Sequence, residues 1–525
     1  MKNCLSFISR LHFFLALILL ISNQALSQSQ PHNNAAAQEK PDEMPGAKQL
    51  KGFDQRMEKI MADWNAAGCA MGITKGGKLI YAKGFGYRDV ENKLPVTPAT
   101  LFALASNTKL FTATALGLLV HEDKLDWDKP IRQKVPQIQF YNQVLNESVT
   151  LRDMLSHRTG LSRHDGIWYG SNFSRKELFE RIKYLEPVTG IRESFVYSNL
   201  MYMAAGEIIE LKTGKSWEAF VQERLLLPLG MNQTVLTVEN MKKSPDYAKP
   251  YQSNLTTNNL KSIAFYRQTQ GVAPANAIIS NVNDLSNWVI CQLAKGKFKD
   301  QEIIPASVIA ETMKPQSFSD QNLTDDKEIF YRLYGMGRTM TTYKGHLMTE
   351  HGGSLNGFLS QITLFPDDDL GIIVLTNSTG QSITKFLQYE IADRMLDLNQ
   401  TLWHERKLEK AKKEQALGNP KEKSEVKIGP PAKPSHELKA YIGVYEDPAY
   451  GRIDIELQDA QLTFHFNLMQ SPLIHDQADN FESQDDPQIG KYNLTFLSNP
   501  KGETTGLAIP MDGSIITFTK KASSN

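Results

Sequence analysis

Hydrophobic residues recur along this chain with two periods, and blocks of one period alternate with blocks of the other. Met57, Ile60, Met61 and Trp64 repeat at helical spacing, so 53–64 is predicted to be a helix. Ala70-Met71-Gly72-Ile73-Thr74, the turn residues Gly76-Gly77, and Leu79-Ile80-Tyr81 then spell a β-hairpin. The segment Leu104 to Val120 is apolar on all sides, the pattern of a buried helix. Thr150 is placed to cap a short helix through His157, with Gly160 to end it. Helical spacing returns over Leu200–Leu211 and Trp217–Leu226. A second hairpin follows: Leu359 to Phe365, a turn at Pro366-Asp367-Asp368-Asp369, and Gly371 to Leu375. Strands near both ends with helices between them predict an α+β domain, one mostly antiparallel sheet with a helical part packed on it, over 51–403.

The flanks differ in character. Lys2 and Arg10 stand beside a run from Phe13 to Ser22 that is almost wholly apolar, and Ala25-Leu26-Ser27 supplies small residues. This is a signal-peptide pattern over 1–27, too short to span a bilayer comfortably, with an uncleaved N-terminal anchor as the alternative. No later run is long and apolar enough for a span, so an exported protein, periplasmic or secreted, is expected. Residues 28–50 are rich in Gln, Asn, Pro and Ala and read as a disordered tail. Residues 404–435 turn to Lys, Glu, Ala and Pro and read as a linker, begun by a charged helix. Short strand candidates at 441–445, 453–457, 462–466, 494–497 and 515–519 make 436–525 a small all-β domain, barrel or sandwich.

Composition narrows the function. At 525 residues the chain exceeds one core, and 41% hydrophobic with 22% charged residues is ordinary globular usage. Lys+Arg and Asp+Glu both count 58, so no basic footprint for nucleic acid exists. Three cysteines exclude a disulfide scaffold, and none are spaced as C-x-x-C. Cys69 and Cys291 remain after signal removal: two small buried side chains on the plainer reading, a bridge on the other. Neither an H-E-x-x-H nor a G-x-x-x-x-G-K-[ST] motif occurs.

Three short motifs carry candidate chemistry. In Ser106-Asn107-Thr108-Lys109 a serine and a lysine three apart share a helix face, and a lysine in a dry site can lose its proton and act as base. Ser382–Lys385, Ser424–Lys427 and Ser498–Lys501 share the spacing, but only Ser106 opens a long apolar helix. In Tyr197-Ser198-Asn199 a tyrosine near a cationic lysine can be held as phenolate and relay protons, and Asn199 can both donate to and accept from an amide. In His351-Gly352-Gly353-Ser354 two glycines allow a substrate backbone close to a strand edge, and the histidine can donate to a carboxylate or a transition-state oxygen.

The order Ser-x-x-Lys, Tyr-x-Asn, His-Gly-Gly resembles the serine β-lactamase and penicillin-binding superfamily, in the branch that holds class C β-lactamases, D-alanyl-D-alanine peptidases, D-aminopeptidases and related esterases. Leu155-Ser156-His157-Arg158-Thr159-Gly160-Leu161 and Leu227-Pro228-Leu229-Gly230-Met231 are similar to further landmarks of it. The resemblance covers about 55–395. The tail from 436 looks like the β-rich C-terminal domain of many members.

What the resemblance implies is a β-lactamase/transpeptidase-like sheet flanked by a helical subdomain, with Ser106 the acylated nucleophile and Lys109 its proton acceptor. It also implies that Tyr197 relays the proton to the leaving group and that Asn199 binds the substrate amide. The His351–Gly353 strand would align the substrate, and the backbone N–H groups of Ser106 and Ser354 would hold the oxyanion. The substrate is a small molecule or peptide, and no metal or cofactor is implied. His351 stands where many β-lactamases have a lysine. A mostly neutral group holds a penicillin-type carboxylate less well, so peptide or ester hydrolysis is expected over efficient β-lactam turnover. The alternative is a low-turnover protein that binds or senses cell-wall peptides or β-lactams. An α/β-hydrolase is set aside because no G-x-S-x-G occurs.

Overall fold

The computed structural model describes residues 48–266, 270–319, 326–381, 383–416, 432–486 and 490–522. The signal and most of the tail expected at the N-terminus, and the middle of the expected linker (417–431), lie outside them, as does Ser382. Among the described residues no helix is long and apolar enough to cross a membrane.

The first domain is built on a nine-stranded antiparallel sheet. Its order runs Ser317–Phe318, Leu333–Tyr334, Thr339–Tyr343, His346–Leu355, Phe358–Phe365, Leu370–Thr376, Gly68–Lys75, Lys78–Asp89, Leu94–Pro95. The chain's early and late strands meet in the middle, where Met71 faces Val374 and Ile73 faces Ile372. Both central strands are buried along almost their whole length, as expected for strands covered on two faces. Period-two alternation sends Ile373 and Leu375 into the larger core with Val282 and Trp288, and Ile372 and Val374 into a second core with Phe53, Met57 and Phe386. The helices Phe53–Asp63 and Ile383–Met395 therefore cover one face, and Val282–Leu293 the other.

The helical part centres on Thr108–His121, which is buried on nearly every side, with Phe111 stacked on Trp288 at 3.8 Å. It packs against Asn199–Thr213 and Ala306–Thr312. Three boundaries differ from the sequence reading. The long helix begins at Thr108, and Ala105–Asn107 forms a tight 3-10 turn ahead of it. Thr150 does cap a helix, in a reciprocal box with Asp153, an arrangement that contributes about 1 kcal/mol. That helix ends at Leu155 rather than His157, because His157 turns left-handed at φ 60°. Trp217–Val221 widens into a π-helical turn over Gln222–Leu226.

Trp403–Ala416, the start of the expected linker, is a helix anchored to the first domain. The Trp403 indole donates to Tyr343, His404 lies between Trp64 and Asp63, and Arg56 bridges Glu390 and Glu405. Cys69 and Cys291 are both buried and free, so the plainer reading of them holds.

Residues from Gly443 onward form a closed eight-stranded barrel, Gly443–Asp447 through Ser514–Lys520, sealed where Tyr445 pairs with Lys520. Its interior is filled by aromatic side chains, among them Tyr441, Tyr445, Phe464, Phe481, Phe496 and Phe518. Three strands were not foreseen: Met469–Gln477, Asn480–Ser483 and Thr504–Met511.

Candidate active site

The nucleophile candidate sits on a constrained turn. Ala105 takes a left-handed conformation at φ 48°, a cost for a residue with a Cβ, and the next residue, Ser106, places its Oγ beside Lys109 and Tyr197. The turn is held from beneath by the sheet. Ser360 Oγ donates to the Leu104 carbonyl at 2.7 Å, and Asn107 Nδ2 donates to Ser360 Oγ at 2.8 Å.

Four of the seven residues expected at the site converge. The Lys109 amine lies 3.1 Å from Ser106 Oγ, 2.8 Å from Asn199 Oδ1 and 3.0 Å from the Ala275 carbonyl. The Tyr197 hydroxyl donates to Ser106 Oγ at 2.9 Å. Lys109 is fully buried, and that burial pushes its pKa well below the ordinary lysine value; the Asp165 charge opposes the shift and the Arg163 charge adds to it. The geometry suits the neutral amine. Asn199 Oδ1 and the Ala275 carbonyl only accept, so they take the two N–H bonds and leave the lone pair facing the serine proton. Tyr197 moves the other way: burial raises its pKa, against the pull of Ser106 and Arg163. At rest it is a phenol rather than the phenolate expected beside a cationic lysine, because desolvation outweighs the nearby positive charge.

His351 and the glycines behave differently from expectation. His351 Nδ1 is 2.7 Å from the Gly352 carbonyl, which can only accept, so that nitrogen carries the hydrogen. Nε2, 3.0 Å from the Tyr334 hydroxyl, is then the acceptor. Both ring nitrogens are committed, and no free N–H faces a substrate. Burial lowers the His351 pKa to about 4, so the ring is neutral at neutral pH. Gly353 is needed by the protein itself: a Cβ there would stand 2.0 Å from the Leu104 carbonyl oxygen and 2.4 Å from Ser360 Oγ. That glycine lets the strand pass beneath the nucleophile turn, so the room at Gly353 is not there for substrate. Gly352 is exposed, and Ser354 is exposed opposite Leu359 on the neighbouring strand.

Several neighbours were not foreseen. His157 packs against the Tyr197 ring at 4.3 Å between centroids and accepts from the Ser198 N–H. Arg163 stands over the same ring at 5.2 Å. Asp165 accepts from Asn199 Nδ2 at 2.9 Å, from the Trp168 indole and from Arg163. Asn199 is thereby held at both ends. The 155–161 stretch pointed toward this region as a landmark but assigned no roles in it. Among the described residues, no group of three or more His, Cys, Asp or Glu side chains converges as a metal site.

The comparisons agree with this architecture. A sequence model of the β-lactamase family matches residues 53–395, and one for a domain of unknown function matches 428–520. The chain is 28% identical over 426 residues to an unguisins hydrolase of Aspergillus campestris, covering 77% of each protein. It is 27% identical over 344 residues to the Staphylococcus aureus protein flp, covering 64% of this chain and 65% of flp, a little under two thirds of that protein. Among solved structures it resembles an octameric penicillin-binding protein homologue from Pyrococcus abyssi, with a TM-score of 0.58, 23% identity, and coverage of 90% of this chain and 98% of that one. It also resembles the D-amino acid amidase of Ochrobactrum anthropi, with a TM-score of 0.54, 21% identity, and coverage of 66% and 98%. The structural likenesses speak for the fold, and the match over 53–395 for descent: the chain belongs to the β-lactamase family, as a hydrolase-type member with a C-terminal barrel.

Proposed function

We propose that this protein is an exported serine hydrolase that cleaves amide or ester bonds, of D-amino-acid peptides or small esters, through an acyl-Ser106 intermediate. The observation that carries the proposal is the meeting of Lys109 and Tyr197 on one oxygen, Ser106 Oγ, with the lysine pushed toward its neutral form. As Oγ attacks the substrate carbonyl, its proton passes to the Lys109 amine and the carbonyl electrons move to oxygen. The backbone N–H groups of Ser106 and Ser354 receive that oxyanion. The leaving amine or alkoxide takes the phenolic proton of Tyr197, and the Lys109 ammonium, 4.8 Å from the centre of that ring, returns its proton to the phenolate. Water then cleaves the acyl ester by the same groups in reverse.

Neutral His351, with both nitrogens engaged, offers a penicillin carboxylate neither fixed charge nor a donor. This favours D-amino-acid amides and esters over β-lactams as substrates. The A. campestris relative is named as a hydrolase and the O. anthropi structural neighbour as a D-amino acid amidase, names compatible with this reading. Export rests on the pattern Lys2, Arg10, Phe13–Ser22 and Ala25-Leu26-Ser27.

The test is a turnover panel on the mature protein and on Ser106→Ala, with D-phenylalanine amide, a D-alanyl-D-alanine peptide, a p-nitrophenyl ester and a chromogenic cephalosporin. Hydrolysis of an amide or ester that Ser106→Ala abolishes is the expected result. Cephalosporin turnover near the diffusion ceiling with no amide or ester turnover would overturn the substrate assignment. An acyl-enzyme that forms and never turns over would replace it with the sensor reading.

A further inference from the structure

The barrel docks on the loop that supports the catalytic lysine. The loop runs from Leu161 to Gly170 and carries Arg163 and Asp165. Three separate barrel segments hold it. Tyr450 OH is 2.7 Å from His164 Nδ1. Asn467 Nδ2 donates to the Gly166 and Tyr169 carbonyls, and the Leu468 N–H donates to the Gly170 carbonyl at 2.9 Å. The last hairpin reaches furthest in, through the two-residue turn Asp512-Gly513, where φ is 50° and 84°. Positive φ at both central residues is the geometry that makes the tightest hairpin tip.

That tip completes a helix belonging to the other domain. The short helix Asp165–Trp168 has no cap of its own, since His164 before it is left-handed and makes no side-chain cap bond. Asp512 Oδ2 accepts from the Asp165 N–H at 2.6 Å, and the Asp512 carbonyl accepts from Ser162 Oγ at 2.5 Å. A carboxylate from the barrel therefore does the work of an N-cap. Met511 fits beside it because residue 166 is glycine: a Cβ there would stand 2.8 Å from the Met511 sulfur. From Asp165 the contacts continue into the catalytic cluster, its carboxylate to Asn199 Nδ2, Asn199 Oδ1 to the Lys109 amine, and that amine to Ser106 Oγ.

We infer that the C-terminal barrel is a working part of the catalytic site, with Asp512 a positioning residue that holds Asp165 and, through Asn199, sets the Lys109 amine against Ser106. The inference rests on the serine-hydrolase reading. The hydrogen bonds along this path run from 2.6 to 3.1 Å, and the Asn199 amide has its two ends fixed by Asp165 and Lys109. Loss of the cap frees the Asp165 backbone, tilts the Asn199 amide, and moves the lone pair that must receive the serine proton.

The test measures the rate at which a fluorophosphonate labels Ser106 in the full chain, beside the melting temperature. Asp512→Gly removes the carboxylate and keeps both the positive φ and the carbonyl that holds Ser162. It is expected to slow labelling about tenfold or more, in line with the cost of misplacing a reacting group by a fraction of an ångström to an ångström. Asp512→Asn keeps an oxygen that accepts from the Asp165 N–H and restores labelling to near the wild-type rate. Arg181→Ala loosens the same junction elsewhere, by removing donation to the Pro448 and Ala449 carbonyls, and leaves labelling at the wild-type rate while lowering the melting temperature. Wild-type labelling of Asp512→Gly would overturn the inference, as would equal slowing in Arg181→Ala. Asp512→Asn as slow as Asp512→Gly would assign the effect to charge and overturn positioning by hydrogen bond. A wild-type protein that never labels would overturn the serine-hydrolase reading and this inference with it; normal wild-type labelling with a normal Asp512→Gly would overturn this inference only.

Discussion

Replacing Gly353 with alanine adds one methyl group directly beneath the nucleophile. The new carbon would stand 2.0 Å from the Leu104 carbonyl oxygen and 2.4 Å from Ser360 Oγ. A comfortable carbon–oxygen contact is about 3.3 Å, so strand and turn must part by roughly 1.3 Å. The Ser360 side chain cannot yield freely, because it donates to that carbonyl and accepts from Asn107. The strain falls on Leu104-Ala105-Ser106, where Ala105 is already left-handed. A displacement of that size at a reacting atom costs on the order of 100-fold in rate, and overpacking costs about 1–3 kcal/mol in stability. The assay is the second-order rate of fluorophosphonate labelling of Gly353→Ala, with urea unfolding of the same sample. Both quantities are expected to fall. A variant with full stability and full labelling that had lost only substrate affinity would refute the argument, and would return Gly353 to the role of making room for substrate.

Lys109→Met removes the proton acceptor and strands the Asn199 and Ala275 carbonyls, so labelling is expected to fall about 10²- to 10⁴-fold; a rate within twofold of wild type would remove Lys109 from that role. The wild-type labelling rate should rise with pH through a limb well below the ordinary lysine pKa of 10.5, and a rate still climbing in proportion to hydroxide at pH 10 would contradict the lowered value. His351, buried neutral with a pKa of about 4 against about 6.5 in the unfolded chain, binds its proton more readily when unfolded. Stability is therefore complete above pH 6.5 and declines as the pH falls toward 4, by about 2 kcal/mol at pH 5 from this group. His351→Gln should flatten that slope in denaturant titrations at pH 7 and 5, and an unchanged slope would count against the assignment. Cys69 and Cys291 are buried and free, with burial pushing the Cys291 thiol up to about 12, so neither should react with maleimide in the native protein and reductant should leave the melting temperature unchanged.

Much of this was readable in the sequence where local chemistry and burial agree. The hairpin at Gly76-Gly77, the strands around Pro366–Asp369 and the Thr150 cap announce themselves through turn and cap residues. Ser106, Lys109, Tyr197 and Asn199 were legible because each motif sits at the start of a helix whose apolar pattern is plain. The misses have physical reasons. Barrel strands Met469–Gln477 and Thr504–Met511 contain Pro472 and Pro510, residues that argue against a strand unless their missing N–H faces away from the ladder. The engagement of both His351 nitrogens depends on Tyr334 and on a backbone carbonyl, neither visible in the local pattern. The purpose of Gly353 depends on Leu104, and Asp165 depends on Asp512, 347 residues away along the chain. Such contacts are set by topology, and no window of sequence contains both partners.

The most direct measurement is the site of covalent modification. The mature protein is treated with a fluorescent penicillin or a fluorophosphonate, digested, and mapped by peptide mass spectrometry, with Lys109→Met treated in parallel. The label is expected on Ser106, and is expected to be lost or severely slowed without Lys109. A label on any other residue, or on Ser106 at the same rate in both proteins, would contradict the claim that Lys109 activates Ser106 as the nucleophile.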